Sequence, residues 1–277
     1  MTAIALALAA SLAWGCSDFV AGIQSRRERV LALLVASQAA GLVIVVPLAL
    51  VSGEPLPDAG QMLWAAAAGI AELLGFACFY RAMAIGDMGI VAPITGTAAL
   101  VPLAIDLAAG HPPRALSLAG VVLAVTGVVL ASSTRGQRAH AARGAALAVL
   151  AALAFGLFFV GMDAASTAGV WWPVVINRTA SLVLLLVVAL ASGRPPLVAR
   201  SALPAAALVG VLDVAANALY VAALGHGLAG VVSVLSSLYP VTTVVLAWVV
   251  LRERASSLQR LGVLGALAGV ALVSLGG

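Results

Sequence analysis

The stretch GIAELLGFACFY (69–80) sets a glutamate in the middle of an apolar run, and GVLDVAANALY (210–220) does the same with an aspartate. In both, a glycine stands three positions before the acid and a tyrosine seven or eight after it: Gly69, Glu72, Tyr80 and Gly210, Asp213, Tyr220. Other runs, such as LALLVASQAAGLVIVVPLALV (31–51) and LAGVVLAVTGVVLA (118–131), are apolar on every face. Helices of that kind belong in lipid, where about 20 apolar residues cross the hydrocarbon layer. The chain as a whole agrees. It is 64% hydrophobic and 9% charged, against roughly 25% charged in soluble domains. Its mean hydropathy is +1.18. A polytopic α-helical membrane protein is the class these values predict. A transmembrane β-barrel would show alternating segments of about ten residues, and the sequence has none.

Breakers and charges divide the chain into ten predicted spans, at 2–22, 31–52, 62–84, 88–109, 115–133, 144–165, 171–192, 202–224, 228–251 and 258–276. The connections are short and hold most of the charge, as in QSRRER, TRGQRAHAAR and LRERASSLQR. Little chain is left for a soluble domain, which argues against a receptor or a tethered enzyme. The first span has no basic leader segment and reads as a retained helix, not a signal peptide. Cys16 and Cys78 fall inside spans and read as small buried hydrophobes.

Shifting the chain on itself by about 140 residues explains why the acid occurs twice. AASLAWGCSDFVAG (9–22) matches LAALAFGLFFVGMD (150–163), and ALVSG (49–53) matches ALASG (189–193). Gly69–Glu72 lies over Gly210–Asp213, and LAGVVLAVTGVVL (118–130) lies over RLGVLGALAGVAL (260–272). The organisation predicted is a first five-helix repeat at 1–133, an Arg-rich loop at 134–143 and a second five-helix repeat at 144–277. Five is odd, so two copies joined in tandem sit upside down relative to each other. Inverted repeats are the architecture of secondary transporters, with the substrate site near the midplane where the halves meet.

The AWG near the start, the proline-bearing fourth and ninth spans, and SSLYPVTTVVLAWVVLRERASSLQRLGVLGALAGVAL (236–272) resemble the EamA-type drug/metabolite transporter superfamily. The recurring element appears here as Ser236, Ser237, Pro240, Glu253, Arg254, Gly262 and Gly269. In the first half, AALVPLAIDLAAGHPPRALSLAG (98–120) keeps Pro102 but has no glutamate in the turn. The resemblance implies ten helices around a central cavity and the export or uptake of small organic molecules.

Carboxylates at mid-span cost roughly 2.5–3.5 kcal/mol to insert, so Glu72 and Asp213 need a structural partner or a function. Asp213, Asn217 and Tyr220 share one helical stripe, and lipid cannot satisfy such a stripe. The matching stripe in span three is Glu72, Phe76 and Phe79, which predicts one polar and one greasy cavity wall. Arg178 is deep in span seven beside Asn177; it snorkels, binds a substrate carboxylate, or pairs with Asp213 or Glu72. Asp18, Asp106 and Arg81 lie nearer span ends and read as interfacial anchors. Trp14, Tyr80 and Ser236 complete the candidate substrate or coupling residues.

His111, His140 and His226 have no metal-ligand spacing, and no nucleophile–His–acid set or phosphate loop is visible. We expect no enzyme, no metal, no cofactor and no nucleic-acid partner. The predicted function is a secondary-active or facilitative carrier of a small amphipathic metabolite such as an amino acid, acting as an exporter by alternating access. Protons are a candidate coupling ion, and the protein acts as a monomer or homodimer among membrane lipids. The alternatives are a flippase or transporter of a lipid-linked or nucleotide-linked metabolite and, more remotely, an intramembrane enzyme. A multi-pass protein of a bacterial inner membrane is expected. Eleven loop arginines fall in the connections after spans one, five, seven and nine, and Arg114 falls in the other set. The positive-inside rule then places both termini outside.

Overall fold

The computed structural model describes residues 1–25, 27–85, 94–110, 114–131, 141–193, 195–250 and 256–276, a few of them by backbone only. The helices are α1 (Thr2–Gln24), α2 (Val30–Ser52), α3 (Ala59–Ile85), α4 (Leu100–Ala108), α5 (Ala115–Ala131) and α6 (Ala141–Ala165). They continue with α7 (Trp171–Ala191), α8 (Leu203–Leu224), α9 (Ala229–Ser236), α10 (Tyr239–Val250) and α11 (Ser257–Gly276). A 3-10 turn at Gly96–Ala99 leads into α4. Among the described residues, seven regions are long and apolar enough to cross a membrane, with Ala229–Val250 counted as one; Gly96–Ala108, Ala115–Leu130 and Arg260–Gly269 are shorter apolar helices. The protein is an all-α polytopic membrane protein.

Its surface is apolar, and its interior mixes small and aromatic residues with a set of buried polar groups. Leu190 is 81% exposed and Val51 80%, while alanines, serines and the mid-span charges are buried. Lipid supplies no hydrophobic drive between helices, so close packing of small residues holds the bundle together.

The packing repeats across the two halves. α1 packs on α8 as α6 packs on α3; α2 packs on α8 as α7 packs on α3; and α2 meets α7, α4 meets α9, and α5 meets α11. The repeated sequence pieces account for this. Gly69 leaves room for the Asn177 carbonyl, and its counterpart Gly210 leaves room for the Ser37 carbonyl. Gly15 admits Thr242 and the Tyr239 carbonyl, as Gly156 admits Val101 and the Ala98 carbonyl. Even the ends of α2 and α7 agree. Gly53 and Gly193, the last residues of the matching ALVSG and ALASG, have φ of 72° and 61°, left-handed values that suit glycine just past a helix C-terminus.

Inversion is visible where equivalent helices meet. Gly127 of α5 abuts Gly262 and Ala266 of α11, while Gly269 of α11 abuts Gly120 and Ala124 of α5. Going forward along α11 means going backward along α5, so these counterparts run antiparallel. The ninth span is interrupted at Ser237–Leu238, between α9 and α10. Pro240 cannot donate the N–H that would carry the helix through this point. Discontinuous helices of this kind are tolerated at membrane depth where protein or a cavity surrounds them.

Candidate functional site

Mid-bundle, α2, α3, α7 and α8 cross on glycines, which lets their polar side chains converge. Arg178 of α7 donates from Nη2 to Asp213 Oδ2 of α8, and from Nη1 to Gln38 Oε1 of α2 at 2.7 Å. Gln38 is the residue equivalent to Arg178 in the first half, 140 positions earlier, so the guanidinium bridges the two repeats at their symmetry axis. Of the three readings of Arg178, the structure selects pairing with Asp213.

Glu72, the counterpart of Asp213, has no such cation. Asn217 Nδ2 reaches its Oε1 at a long 3.4 Å, and Asn177 lies beside the same carboxyl. Glu72, Asn177 and Asn217 are 3%, 0% and 0% exposed. Glu72 Oε2, both side-chain polar atoms of Asn177, Asn217 Oδ1 and Arg178 Nε have no hydrogen-bond partner among the described residues. Buried polar atoms without partners are rare, and each one left so is costly.

Beside this network lies a cavity. Trp14, Phe76, Phe79, Phe155, Phe158 and Tyr239 form its aromatic walls, and Asp18 and Glu72 supply its carboxylates. The rings brace one another: Phe76 on Phe155 at 5.3 Å, and Trp14 on Phe158 and Phe159, each at 6.0 Å between centroids. A second cavity runs from Asp18, Phe76 and Asp213 along Ser17, Ala21 and Ser25 to Val30. Asp18 and Phe76 belong to both cavities.

Several sequence expectations change here. Asp18 is not an interfacial anchor; it lines both cavities, four residues after Trp14 and so on the same face of α1, a spacing the sequence contained. The polar stripe of α8 is not a wall of the aromatic cavity. Tyr220 is fully buried behind it, its hydroxyl 2.8 Å from Ser233 Oγ and donating to the Phe159 carbonyl at 3.3 Å. Ser236 donates to the Ala7 carbonyl of α1 at 3.4 Å and faces neither cavity's lining. Trp14, Glu72 and Asp213 do border cavities. The side chain of Tyr80 lies outside the described residues, as do Pro93, His111 and His140. Asp106 accepts from the backbone N–H of Gly230 at 2.6 Å, at the start of α9. Sequence reasoning passed over Phe155, Phe158, Phe159 and Tyr239 because an aromatic residue in a greasy helix has no distinguishing pattern.

No curated protein sequence matches the chain. A solved structure described as "Crystal structure of protein" superposes with a TM-score of 0.79, covering 99% of this chain and 96% of that chain at 17% identity, a likeness of fold. A family model described as "EamA-like transporter family" matches twice, at residues 1–133 and 142–275. With one match in each inverted half, together spanning nearly the whole sequence, the chain belongs to the EamA-like transporter family and is a membrane transporter of small molecules.

Proposed function

We propose that this protein exports a small amphipathic solute bearing an ammonium group, such as an amino acid or a hydrophobic amine, by alternating access of its two halves. The observation that carries this reading is the aromatic cavity, whose lining among the described residues holds carboxylates and no cation. The one deeply buried guanidinium in the described network, Arg178, is engaged by Asp213 and Gln38. An aromatic cage beside an acid attracts cations, at about 0.5–2 kcal/mol per cation–π contact. Asp18 is the carboxylate best placed for the ammonium, since it is shared by both cavities. The second cavity extends to Ser25 and Val30, next to an arginine-rich connection, which on the positive-inside rule is the cytoplasmic side where an exporter loads.

The test begins with purified protein screened by thermal shift against amino acids, amphipathic amines and lipid-linked sugars. We expect ammonium-bearing compounds to stabilise it. Stabilisation by lipid-linked sugars alone would move the assignment to a flippase. With a hit reconstituted in vesicles, Asp18→Asn and Trp14→Ala should each raise KM by about tenfold, the equivalent of 1.4 kcal/mol. An unchanged KM in both variants removes the cavity from the binding step. A reporter fused at the C-terminus that fluoresces only in the cytoplasm should stay dark, and a bright signal reverses the orientation.

A further inference from the structure

The two faces of the bundle are fastened differently. The connections after spans two, four, six and eight share one face, opposite the arginine-rich face. There Glu54, just past α2, reaches across to the start of α7. The Val170 and Trp171 N–H groups donate to its Oε1 and Oε2, each at 2.9 Å, and Trp172 Nε1 donates to its backbone carbonyl at 3.1 Å. Gly169 permits this approach: its φ is 107°, and a Cβ there would overlap the Glu54 carboxyl. Nearby, Gln61 Nε2 donates to Thr167 Oγ1 at 2.9 Å. The second fastening on this face is Asp106 of α4, whose Oδ2 accepts from the Gly230 N–H, in the first turn of α9, at 2.6 Å. In both, a first-half carboxylate takes up N–H groups at the start of a second-half helix, where the helix dipole favours negative charge.

The second half has neither acid in the equivalent position. ALVSG over ALASG puts Glu54 on Arg194, and AALVP (98–102) over SSLYP (236–240) puts Asp106 on Val244. A guanidinium is disfavoured where a helix starts, and a valine has no atom that accepts a hydrogen bond. At the arginine-rich face, the Ala199 N–H donates to Glu28 Oε2 at a long 3.4 Å. Arg29, Val30 and Pro195 border a cavity beside that contact, between the start of α2 and the connection after α7. The second cavity also reaches this face, at Ser25 and Val30. Neither its lining nor that of the aromatic cavity includes a residue from the connections of the opposite face. The path from the cavities thus leads to the arginine-rich face, while the two acids fasten the other.

We propose that Glu54 and Asp106 form a gate that holds their own face closed and sets the resting state of the carrier open toward the arginine-rich face. In an inverted-repeat carrier the opposite state arises by exchanging the conformations of the halves. Arg194 then comes to the start of α2 as Glu54 now stands at the start of α7, and Val244 takes the place of Asp106. Neither supplies an acid, and Glu54 and Asp106 have meanwhile parted from α7 and α9. The repeated backbone makes the two states alike in shape; the two acids make them unequal in free energy. Cargo in the cavity must therefore bind the exchanged state better, by enough to release both acids. Once emptied, the carrier returns unaided to the state that loads. The gate rests on the alternating-access reading, but not on the identity of the cargo.

Distances between paired spin labels, measured by pulsed electron paramagnetic resonance, read the gate without any cargo. The sample is the full-length protein with Cys16→Ala and Cys78→Ala, in nanodiscs of phosphatidylethanolamine and phosphatidylglycerol. Labels at Ala109→Cys and His226→Cys span the acid-fastened face, and labels at Arg27→Cys and Leu197→Cys span the arginine-rich face; all four positions are exposed. With both acids present, the first pair should be mostly close and the second mostly apart. Glu54→Gln keeps the size but turns an amide N–H toward a backbone N–H. It should raise the separated fraction of the first pair by about tenfold, with a matching rise in the close fraction of the second. Asp106→Asn should do the same, and Glu54→Asp, which keeps the charge on a shorter arm, should fall between. A merely structural cap would lower the melting temperature and leave both distance distributions in place. Unchanged distributions in both Glu54→Gln and Asp106→Asn overturn the gate. Widening of the first pair without closing of the second overturns it too, and alternating access with it. Should one variant fail to purify as a monodisperse protein, the other decides. Unchanged distributions leave the cavity and its cargo untouched, since Asp18 and the thermal-shift screen report on those separately.

Discussion

Arg178→Gln should lose most of its folded yield at neutral pH, and adding Asp213→Asn to the same chain should restore the greater part. The guanidinium is 1% exposed and its partner 6% exposed, so removing the cation strands a largely buried carboxylate. Breaking a buried pair from one side costs about 3–5 kcal/mol, against a total stability of roughly 5–15 kcal/mol for a folded domain. Removing both charges leaves amides that can pair with Gln38 and Asn217, and replacing buried ion pairs with neutral groups is often tolerated. Arg178→Lys should be intermediate, because an ammonium restores the charge but not the fork that reaches Asp213 and Gln38 together. The measurements are the monodisperse fraction after solubilisation and the melting temperature in detergent. A single variant as stable as the wild type would mean the pair contributes nothing to the fold.

Gly69→Val and Gly210→Val should be damaging to a similar degree. At each site a Cβ would overlap a backbone carbonyl of the facing helix, Asn177 or Ser37, and backbone cannot rotate aside as a side chain can. Overpacking a close-fitted core costs about 1–3 kcal/mol, and with backbone as the obstacle the upper end applies. Both crossings also hold the polar network in register. Ser181 donates to the Gly69 carbonyl at 2.7 Å, so prying this crossing apart also moves Asn177 and Arg178. Gly22 serves as the control. A Cβ there meets nothing within 4 Å, and Gly22→Ala should match or slightly exceed the wild type, by up to about 1 kcal/mol of helix propensity. If Gly69→Val melts at the wild-type temperature while Gly210→Val does not, the two halves do not share this contact as described.

Much of this architecture was readable before any coordinates. Lipid imposes a length and a polarity on each helix, so spans such as 31–52 and 171–192 came within a residue or so of α2 and α7. The repeat was readable because Gly69 and Gly210, like Gly15 and Gly156, recur in aligned stretches; that they stand at close contacts between segments is shown by the structure. The partners themselves were not readable. Two acids at equivalent depth left Arg178 with two equal candidates, and packing, which no local pattern encodes, chose Asp213. Ser236 and Tyr220 looked like cavity groups because polar atoms in lipid need company; the Ala7 carbonyl, Ser233 and the Phe159 carbonyl supply it within the protein. Asp18 was misjudged by distance from a span end, whereas its position beside the cavity depends on which face of α1 turns inward.

The antiparallel seam between α5 and α11 sets a schedule for biogenesis. During synthesis α5 enters the bilayer with its face of Gly120, Ala124 and Gly127 prepared for a partner that has not been made. Residues 132–256 must be translated before α11 begins at Ser257, an interval on the order of ten seconds at roughly 5–20 residues per second. Until then acyl chains must fill the groove along those small residues. The synthesis of α11, not the emergence of the first five helices, is therefore the event that lets the first half close. Quality-control proteases in the membrane have that whole interval in which to find it open.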